Sequence, residues 1–471
     1  MRRSMSFGIV AVALSQLLTS CSGGTARGPV FVPSQLDRSP RLAHVVPFYD
    51  YGGGTSDALG SGGFGGLTID ANGTIYGPAT YGGKKSCSGI GSEFKIPGCG
   101  LVYALNPDST GTTYSETVLH IFKGGKDGNS PTTALLQVGK NFYGTTELGG
   151  GCKYSGGCGT VFEITPAGKE TIVYRFSNLV DGAQPRGDLV ADSHGNLFGT
   201  TDLGGDGIGG GSFGCGNYGC GTVYELVRTG SSYKYRVVYE FQGTTDGSLP
   251  GALLLQNGAI FGTAYGGTNG PACYGSAACG TAFELVPQGA GRYHFVLLHT
   301  FMKGTDGSAP NRIVAGPDGV LYGNTALGGG GDCGKQTPNG CGIIYSLSPA
   351  KHGSYVYRII HRFGTFSDGQ FAANVTYYNG TIYGITVAGG INSLSCLSPQ
   401  GAQGRPPHRA GCGTIYSLRP NGKNFQVLYR FQGRTGGYWP LAALVVSNGS
   451  LYGATLLGGK FGAGTAYKVT P

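Results

Sequence analysis

Residues 131–176 read PTTALLQVGKNFYGTTELGGGCKYSGGCGTVFEITPAGKETIVYRF. This stretch contains every element of a unit that recurs along the chain. Within it, short runs of β-branched and aromatic residues alternate with Gly, Pro and Asn, which is typical of strands joined by turns. The four runs are residues 134–138, 141–146, 160–165 and 171–176. Since no stretch shows a sustained helical stripe, the unit is predicted to be a four-stranded antiparallel sheet.

One step of this unit, an aromatic residue followed by Gly, occurs seven times at intervals of 55 to 69 residues. A lone sheet would leave both faces uncovered, whereas sheets arranged around an axis cover one another. The predicted fold is therefore all-β, a seven-bladed β-propeller of four-stranded antiparallel blades. The seven aromatic residues are Tyr76, Tyr143, Phe198, Phe261, Tyr322, Tyr383 and Tyr452.

The two ends of the chain predict how the ring closes. Only three strands of the last unit follow Pro440, while an unassigned strand, residues 42–48, precedes the first unit. Pairing of this N-terminal strand with the C-terminal strands would complete the seventh blade. The propeller domain is accordingly expected to span residues 42–471.

The first 41 residues predict export and a lipid anchor. Residues 1–20 have a basic start and an apolar stretch too short to span a bilayer, as in a signal peptide. The run Leu18-Thr19-Ser20-Cys21 resembles the lipobox of bacterial lipoproteins, in which the cysteine is lipidated; an ordinary signal peptide cut near Ala26 is the alternative. Residues 21–41 would form a tether. We expect an outer-membrane lipoprotein, periplasmic or surface-facing, that contacts the membrane only through its lipid.

The other twelve cysteines form six short-range pairs, each in the loop after the second strand of a unit. In an exported chain these are most simply disulfides that close their own loops. Zinc is the competing interpretation, but the spacings vary and no His lies at a regular offset. We therefore predict no metal and no cofactor. The pairs are Cys87/Cys99, Cys152/Cys158, Cys215/Cys220, Cys273/Cys279, Cys333/Cys341 and Cys396/Cys412.

The repeat also resembles a known bacterial family. Its copies combine YGTT, two glycines, CGTVF, a strand ending in Phe, and DG followed by Pro, a pattern similar to the GloVer tandem repeat of choice-of-anchor envelope proteins. The resemblance covers residues 42–471 and implies attachment to the cell envelope, here through Cys21. It implies no established enzyme activity and no catalytic residues. The first copy departs from the pattern around residues 57–64, and the seventh lacks the cysteine pair.

Two repeated features are predicted to be structural. Five Asp-Gly pairs each begin five residues after a strand-ending Phe, and their carboxylates could form a Ca²⁺ site, but capping of the local turn is favoured. Four strand histidines are interpreted as packing residues, since three of them occupy a position held by Tyr in other copies. The aspartates are Asp127, Asp181, Asp246, Asp306 and Asp368, and the histidines are His44, His120, His299 and His361.

A binding site is expected where single copies break the repeat, because one ligand is not seven-fold symmetric. Charged or amide side chains replace neutral residues at seven positions that a propeller would gather around the upper mouth of its channel. The alternative is that they form solvated ion pairs of little energetic weight. Tyr438 and Trp439 could stack on a sugar ring or form a wedge between blades. The seven positions are Glu147, Arg186, Asp188, Asp202, Asn311, Arg312 and Asn374.

Two functional classes remain. The first is a non-catalytic, monomeric binding or scaffolding propeller that recognises a glycan or an envelope protein through its long-loop face. The net charge of +9 favours an anionic ligand, whereas a charged content of only 12% argues against nucleic acid. The alternative is a carbohydrate-active enzyme, a lyase or hydrolase, using Asp188 with Glu147 or Asp202. No catalytic motif is recognised, so binding is favoured and catalytic residues stay unassigned.

Overall fold

The computed structural model describes most of the chain between His44 and Pro471. The described residues are 44–52, 65–83, 87, 98–152, 156–177, 179–205, 215, 218–243, 245–266, 279–302, 304–331, 340–391, 396 and 411–471. The predicted signal peptide, Cys21 and the tether lie outside these ranges. Within them, none of the helices has the length and apolar character that a membrane crossing requires.

Seven antiparallel sheets form a seven-bladed β-propeller, as predicted. In each blade the first strand is innermost, and in blades 2, 4 and 7 it is broken into two pieces. Blade 1 has β2 (Thr68–Ile69), β3 (Ile75–Ala79), β4 (Leu101–Pro107) and β5 (Tyr114–Ile121). Blade 2 has β6 (Asn129–Pro131), β7 (Leu136–Val138), β8 (Asn141–Leu148), β9 (Thr160–Ile164) and β10 (Glu170–Arg175). Blade 3 has β11 (Val190–Ala191), β12 (Leu197–Thr201), β13 (Thr222–Thr229) and β14 (Ser232–Glu240).

The remaining blades repeat this order. Blade 4 has β15 (Ser248–Pro250), β16 (Leu254–Gln256), β17 (Ala259–Gly266), β18 (Thr281–Pro287) and β19 (Tyr293–Thr300). Blade 5 has β20 (Ser308–Ala315), β21 (Leu321–Leu327), β22 (Ile343–Pro349) and β23 (Tyr355–Arg362). Blade 6 has β24 (Gln370–Tyr378), β25 (Thr381–Ala388), β26 (Thr414–Leu418) and β27 (Gln426–Arg430). Blade 7 has β28 (Tyr438–Pro440), β29 (Val445–Ser447), β30 (Ser450–Leu457), β31 (Thr465–Thr470) and, as its outermost strand, β1 (His44–Asp50).

The N-terminal strand β1 closes the ring by pairing antiparallel with β31. The register includes Val46 opposite Lys468 and Pro47 opposite Tyr467. Just after the strand, the Tyr51 N–H donates to the Gly464 carbonyl at 3.1 Å. The predicted pairing of the two chain ends is confirmed, and β1 continues two residues beyond the predicted end at residue 48.

Packing against the third strand explains the Gly of each aromatic-Gly step. A Cβ atom at Gly144 would lie 2.6 Å from Cζ of Phe162, which is fully buried on the neighbouring strand. The aromatic residue of a step packs against the next blade: Tyr76 of blade 1 lies on Phe142 of blade 2, with ring centroids 4.1 Å apart. The hydrophobic core therefore lies between adjacent blades, and each blade needs its neighbours to bury its faces.

A repeated hydrogen bond ties each cysteine loop to the next blade. In blade 2 the Cys158 carbonyl accepts the Gln184 N–H at 2.9 Å, and Gln184 has a left-handed backbone with φ 58°. This conformation is costly for a residue other than Gly, so the bond helps to hold the start of the inner strand. Equivalent bonds join Cys99 to Ser130, Cys220 to Leu249, Cys279 to Ala309, Cys341 to Phe371 and Cys412 to Trp439.

Disulfides close these loops as predicted. Cys279 and Cys341 are disulfide-bonded, and their predicted partners Cys273 and Cys333 lie outside the described residues. Four pairs have both members described: Cys87–Cys99, Cys152–Cys158, Cys215–Cys220 and Cys396–Cys412.

The cost of losing a disulfide should follow the length of the loop that it closes. The Cys396–Cys412 bond spans 16 residues and the Cys152–Cys158 bond spans 6. Replacing both cysteines with Ser should lower the free energy of unfolding by roughly 3 kcal/mol for the longer loop and roughly 2 kcal/mol for the shorter one. Chemical denaturation of the two double variants measures this difference, and a larger loss at the shorter loop would contradict the expectation.

Candidate functional site

The long-loop end of the propeller has two unlike halves. In each blade the second strand ends, and the inner strand begins, at this end of the propeller, because neighbouring strands are antiparallel. The last residues of the second strands and the first residues of the inner strands therefore surround the channel mouth. At the third position after each aromatic-Gly step, blades 1 to 3 carry polar residues and blades 4 to 7 carry Tyr or aliphatic residues. In blade order these are Thr80, Glu147, Asp202, Tyr265, Ala326, Val387 and Leu456.

Arg186 is the centre of a buried ion cluster in the polar half. Its Nη2 donates to Glu147 Oε1 at 2.5 Å, and its Nη1 lies 3.3 Å from Asp202 Oδ2. Glu147 and Asp202 are 6% and 7% exposed. They hold the same position in blades 2 and 3, which directs both carboxylates at one guanidinium. The cluster is therefore a buried network rather than a set of solvated surface pairs.

The cluster has two carboxylates for one cation, and this imbalance shifts pKa values. Burial raises the pKa of Asp202 to about 6, since attraction to the shared Arg186 is too weak to offset burial and the nearby Glu147 carboxylate. Burial alone would lower the pKa of Arg186, but attraction to Glu147 and Asp202 outweighs it, so its pKa is raised. Arg186 therefore stays charged, and Asp202 is the group that takes up a proton near neutral pH.

A second ion pair crosses the channel. Arg312 Nη1 of blade 5 lies 3.0 Å from Asp188 Oδ2 of blade 3, and Asp188 Oδ1 accepts the Ala134 N–H of blade 2 at 2.9 Å. Blade 4 lies between them and has the small Ala252 at the equivalent place. The Arg312 and Asp188 side chains are 28% and 20% exposed, so this pair is accessible to solvent.

Two predicted site residues join blades instead of facing the channel as free groups. Asn311 Nδ2 donates to the Ala372 carbonyl at 3.0 Å, and Asn374 Nδ2 donates to the Leu441 carbonyl at 2.7 Å. Asn324, which the sequence pattern did not single out, donates to the same Ala372 carbonyl at 2.6 Å. The sequence could have indicated Asn324, because blades 2 to 4 have Thr at that position and use the hydroxyl in the same way. Examples are Thr145 to Pro185 and Thr200 to Gly251.

Trp439 belongs to the apolar half of the mouth. It is 0% exposed, its Nε1 donates to the Gly411 carbonyl at 3.3 Å, and it packs in one cluster with Phe371 and Leu456. The half-buried Tyr438 meets it edge to face with ring centroids 5.5 Å apart. Of the two interpretations of this aromatic pair, the structure has Trp439 as a wedge between blades, buried away from any sugar.

The Asp-Gly pairs cap their own turns, as the sequence favoured. The carboxylates of Asp127, Asp181, Asp246 and Asp306 each accept the N–H of the residue after the strand-ending Phe and also contact the Tyr or His two positions before that Phe. His299 is thus a hydrogen-bond partner of its turn as well as a packing residue. Among the described residues, His120 Nε2 and His361 Nε2 have no hydrogen-bond partner, and the side chain of His44 lies outside the described part. The N–H contacts are Lys123 to Asp127, Ser177 to Asp181, Gln242 to Asp246 and Met302 to Asp306. The ring contacts are Tyr174 to Asp181, Tyr239 to Asp246 and His299 to Asp306.

Solved structures of other proteins resemble this one at low identity. A puromycin-hydrolyzing peptidase from Mycobacterium tuberculosis is 9% identical over 87% of this chain and 52% of that one, with a TM-score of 0.46. This chain thus aligns with about half of the peptidase. A protein of unknown function from Dyadobacter fermentans is 10% identical over 91% and 98% of the two chains (TM-score 0.43), and the computationally designed Ika8 protein is 13% identical over 88% and 98% (TM-score 0.42).

A family match covers part of the repeated region. Residues 55–215 match the Gloeobacter/Verrucomicrobia repeat. No curated protein matches the sequence. The matched residues include blades 1 and 2 and the first half of blade 3, and the same unit continues in the later blades. Residues 55–215 therefore carry the Gloeobacter/Verrucomicrobia repeat, which confirms over this part of the chain the resemblance that its motifs predicted.

Proposed function

We propose that this protein is a non-catalytic binding propeller of the bacterial envelope that recognises a glycan or an envelope protein through the polar half of its long-loop end. It would act as a monomer at the outer membrane, held there by a lipid on Cys21. The observation that supports this most is the pair of asymmetric ion clusters at the channel mouth. Both are built from side chains that occur in single copies of an otherwise regular repeat.

The state of the carboxylates favours binding over catalysis. A glycosidase needs two carboxyl groups that can reach the scissile bond, one of them able to donate a proton. Glu147 and Asp202 both contact Arg186, and Asp188 contacts Arg312 as well as the Ala134 N–H. Groups held in this way are preorganised as hydrogen-bond donors and acceptors, which lowers the entropy cost of ligand binding.

The chemistry of these groups supports a glycan as the ligand. Sugar hydroxyls donate and accept hydrogen bonds, so they match a site where guanidinium groups lie beside carboxylates. The exposed Asp188–Arg312 pair is the part that a ligand would reach first. The net charge of +9 adds attraction for acidic glycans or the phosphates of lipopolysaccharide.

A carbohydrate-active enzyme is the second candidate, and one observation favours it. The pKa of Asp202 is raised to about 6 in a cluster with Glu147. A carboxyl group with a pKa near 6 can act as a general acid near neutral pH. Opening of the cluster by a substrate would then be required, because Arg186 contacts both groups.

A glycan array tests the proposal, with reducing ends and unsaturated products measured in parallel. We expect binding of acidic glycans without product formation, and at least about tenfold weaker binding by Arg312→Ala. Arg358→Ala is the matched control, because Arg358 is exposed on the outermost strand of the same blade. Product formation that Asp202→Asn abolishes would establish the enzyme instead. Equal glycan binding by Arg312→Ala and the wild type, or none by either, would contradict the proposed site.

A further inference from the structure

An aromatic stack repeats between the outermost strands of adjacent blades. The Tyr or His two positions before the strand-ending Phe of one blade stacks on the ring of the residue six positions before the strand-ending Phe of the next blade. Four consecutive junctions share this contact, with centroids 4.3, 4.8, 3.7 and 3.8 Å apart. The pairs are Tyr174–Tyr235, Tyr239–Phe295, His299–Tyr357 and His361–Phe425.

The junction between blades 1 and 2 breaks this pattern. The residue six positions before Phe176 is Glu170, so His120 faces a carboxyl group where these four junctions have a ring. The His120 Nε2 atom is also 3.4 Å from Asp127 Oδ2. One donor atom from each of His120, Asp127 and Glu170 lies within 4.8 Å of the other two. The break therefore replaces an apolar contact with a cluster of three metal-ligating side chains.

Two of the three potential ligand atoms are buried and make no hydrogen bond within the described part of the chain. Among the described residues, His120 Nε2 and Glu170 Oε1 have no hydrogen-bond partner. Leaving buried polar atoms unsatisfied is costly, so the arrangement indicates a missing partner. Asp127 is held in place, because its Oδ2 accepts the Lys123 N–H at 2.7 Å.

We propose that His120, Asp127 and Glu170 bind a divalent transition-metal ion at the outer junction of blades 1 and 2. One imidazole nitrogen and two carboxylate oxygens suit Zn²⁺ and Mn²⁺, whereas Ca²⁺ and Mg²⁺ prefer oxygen alone. Metal–ligand distances of about 2.0–2.1 Å place tetrahedral ligands about 3.3 Å apart. The 3.4 Å between His120 Nε2 and Asp127 Oδ2 already fits this, and a small movement of Glu170 completes the site.

The ion would take the place of the stacked ring. It would link β5, the link after it and β10, so that blades 1 and 2 are joined by coordination where blades 2 to 6 are joined by aromatic packing. Three protein ligands leave a fourth position for water. All three side chains are partly exposed, which gives an ion a route to the site. The prediction that the chain binds no metal considered the cysteines and the aspartate ring; Asp127 belongs to that ring, but His120 and Glu170 do not, so this combination of ligands was not considered.

Metal titration of the full chain, oxidised and stripped with a chelator, tests the proposal. We expect one equivalent of Zn²⁺ or Mn²⁺ to bind and to raise the melting temperature, because the ion binds only the folded state. His120→Phe and Glu170→Gln should each weaken binding by at least about tenfold. Co²⁺ should bind with absorption bands that disappear in both variants, a readout that altered stability alone would not produce.

Two further variants separate loss of a ligand from loss of folding. Glu170→Tyr supplies the ring found in the four junctions between blades 2 and 6, so we expect it to fold, to melt higher than the metal-free wild type and to bind no ion at this site. His299→Phe removes the equivalent His of blade 4, which stacks on Tyr357, and should leave metal uptake unchanged. Undiminished uptake by Glu170→Tyr, or no stoichiometric uptake by the wild type, would overturn the proposal.

Discussion

Deletion of residues 1–50 is expected to remove most of the stability of the propeller. The deletion takes β1 from blade 7 and leaves the edge of β31 unpaired along six register positions. Phe48 would no longer pack on Tyr114 of blade 1, with ring centroids 4.5 Å apart, and the hydroxyl of Tyr49 would no longer donate to Glu116. The strand therefore both completes blade 7 and covers its junction with blade 1.

The expected loss is large compared with the stability of a folded domain. Each large apolar side chain that leaves the core costs about 1.5–3 kcal/mol, and lost ladder hydrogen bonds add to this. A total above about 5 kcal/mol approaches the entire net stability of many domains. We expect the shortened chain to melt without a cooperative transition, or far below the control.

The matched control is a chain that starts at His44. It lacks the predicted signal peptide and tether but keeps β1 complete, so it should melt like the mature protein. Thermal melting by circular dichroism compares the two. If the chain that starts at residue 51 melted within about 3 °C of the control, the ring would not depend on β1.

The second large effect is expected at Arg186. Arg186→Met would leave the Glu147 and Asp202 carboxylates buried without a cation, and breaking a buried ion pair in this way costs about 3–5 kcal/mol. Denaturation at pH 7.5 measures the loss. Acidification should recover part of it, because protonated carboxyl groups need no counter-charge. A loss that does not change with pH would show that the carboxylates are not its cause.

Asp202→Asn should raise the free energy of unfolding, whereas Arg186→Met should lower it. The pKa of Asp202 is raised in the folded state from 3.8 to about 6. Between these values the folded chain holds a proton that the unfolded chain has released, so stability falls as the pH rises through this window and is level above it. Asn removes this slope, keeps a hydrogen-bond acceptor for Arg186, and should make the protein more stable than the wild type above pH 6. Identical pH profiles would contradict the assignment to Asp202.

Much of the architecture could be predicted because it depends on local patterns. Strand alternation, the aromatic-Gly step and the short cysteine pairs each need only a few neighbouring residues, and seven copies make the unit recognisable. Ring closure followed from counting strands at the two ends. The candidate residues at the channel mouth could also be predicted, since a side chain such as Arg186 differs from the small residues that other copies have there.

The partners of those side chains could not be predicted. Asp188 and Arg312 are 124 residues apart and meet only because closure of the ring places blades 3 and 5, with blade 4 between them, around one channel mouth. Asn311 and Asn374 came from the same comparison of copies, yet they bond to backbone carbonyls of the next blade. The cluster of His120, Asp127 and Glu170 was not predicted, because its members occupy three different positions of the repeat.

The sequence by itself determined the repeat, the blade number, the disulfide pairing and the pairing of the two ends. Only the tertiary structure decided which charges are buried together, which amides join blades, and that Trp439 is buried. The physical reason is that periodicity reports how the backbone hydrogen-bonds within a sheet, whereas contacts between side chains of different blades depend on distances set by closure of the ring.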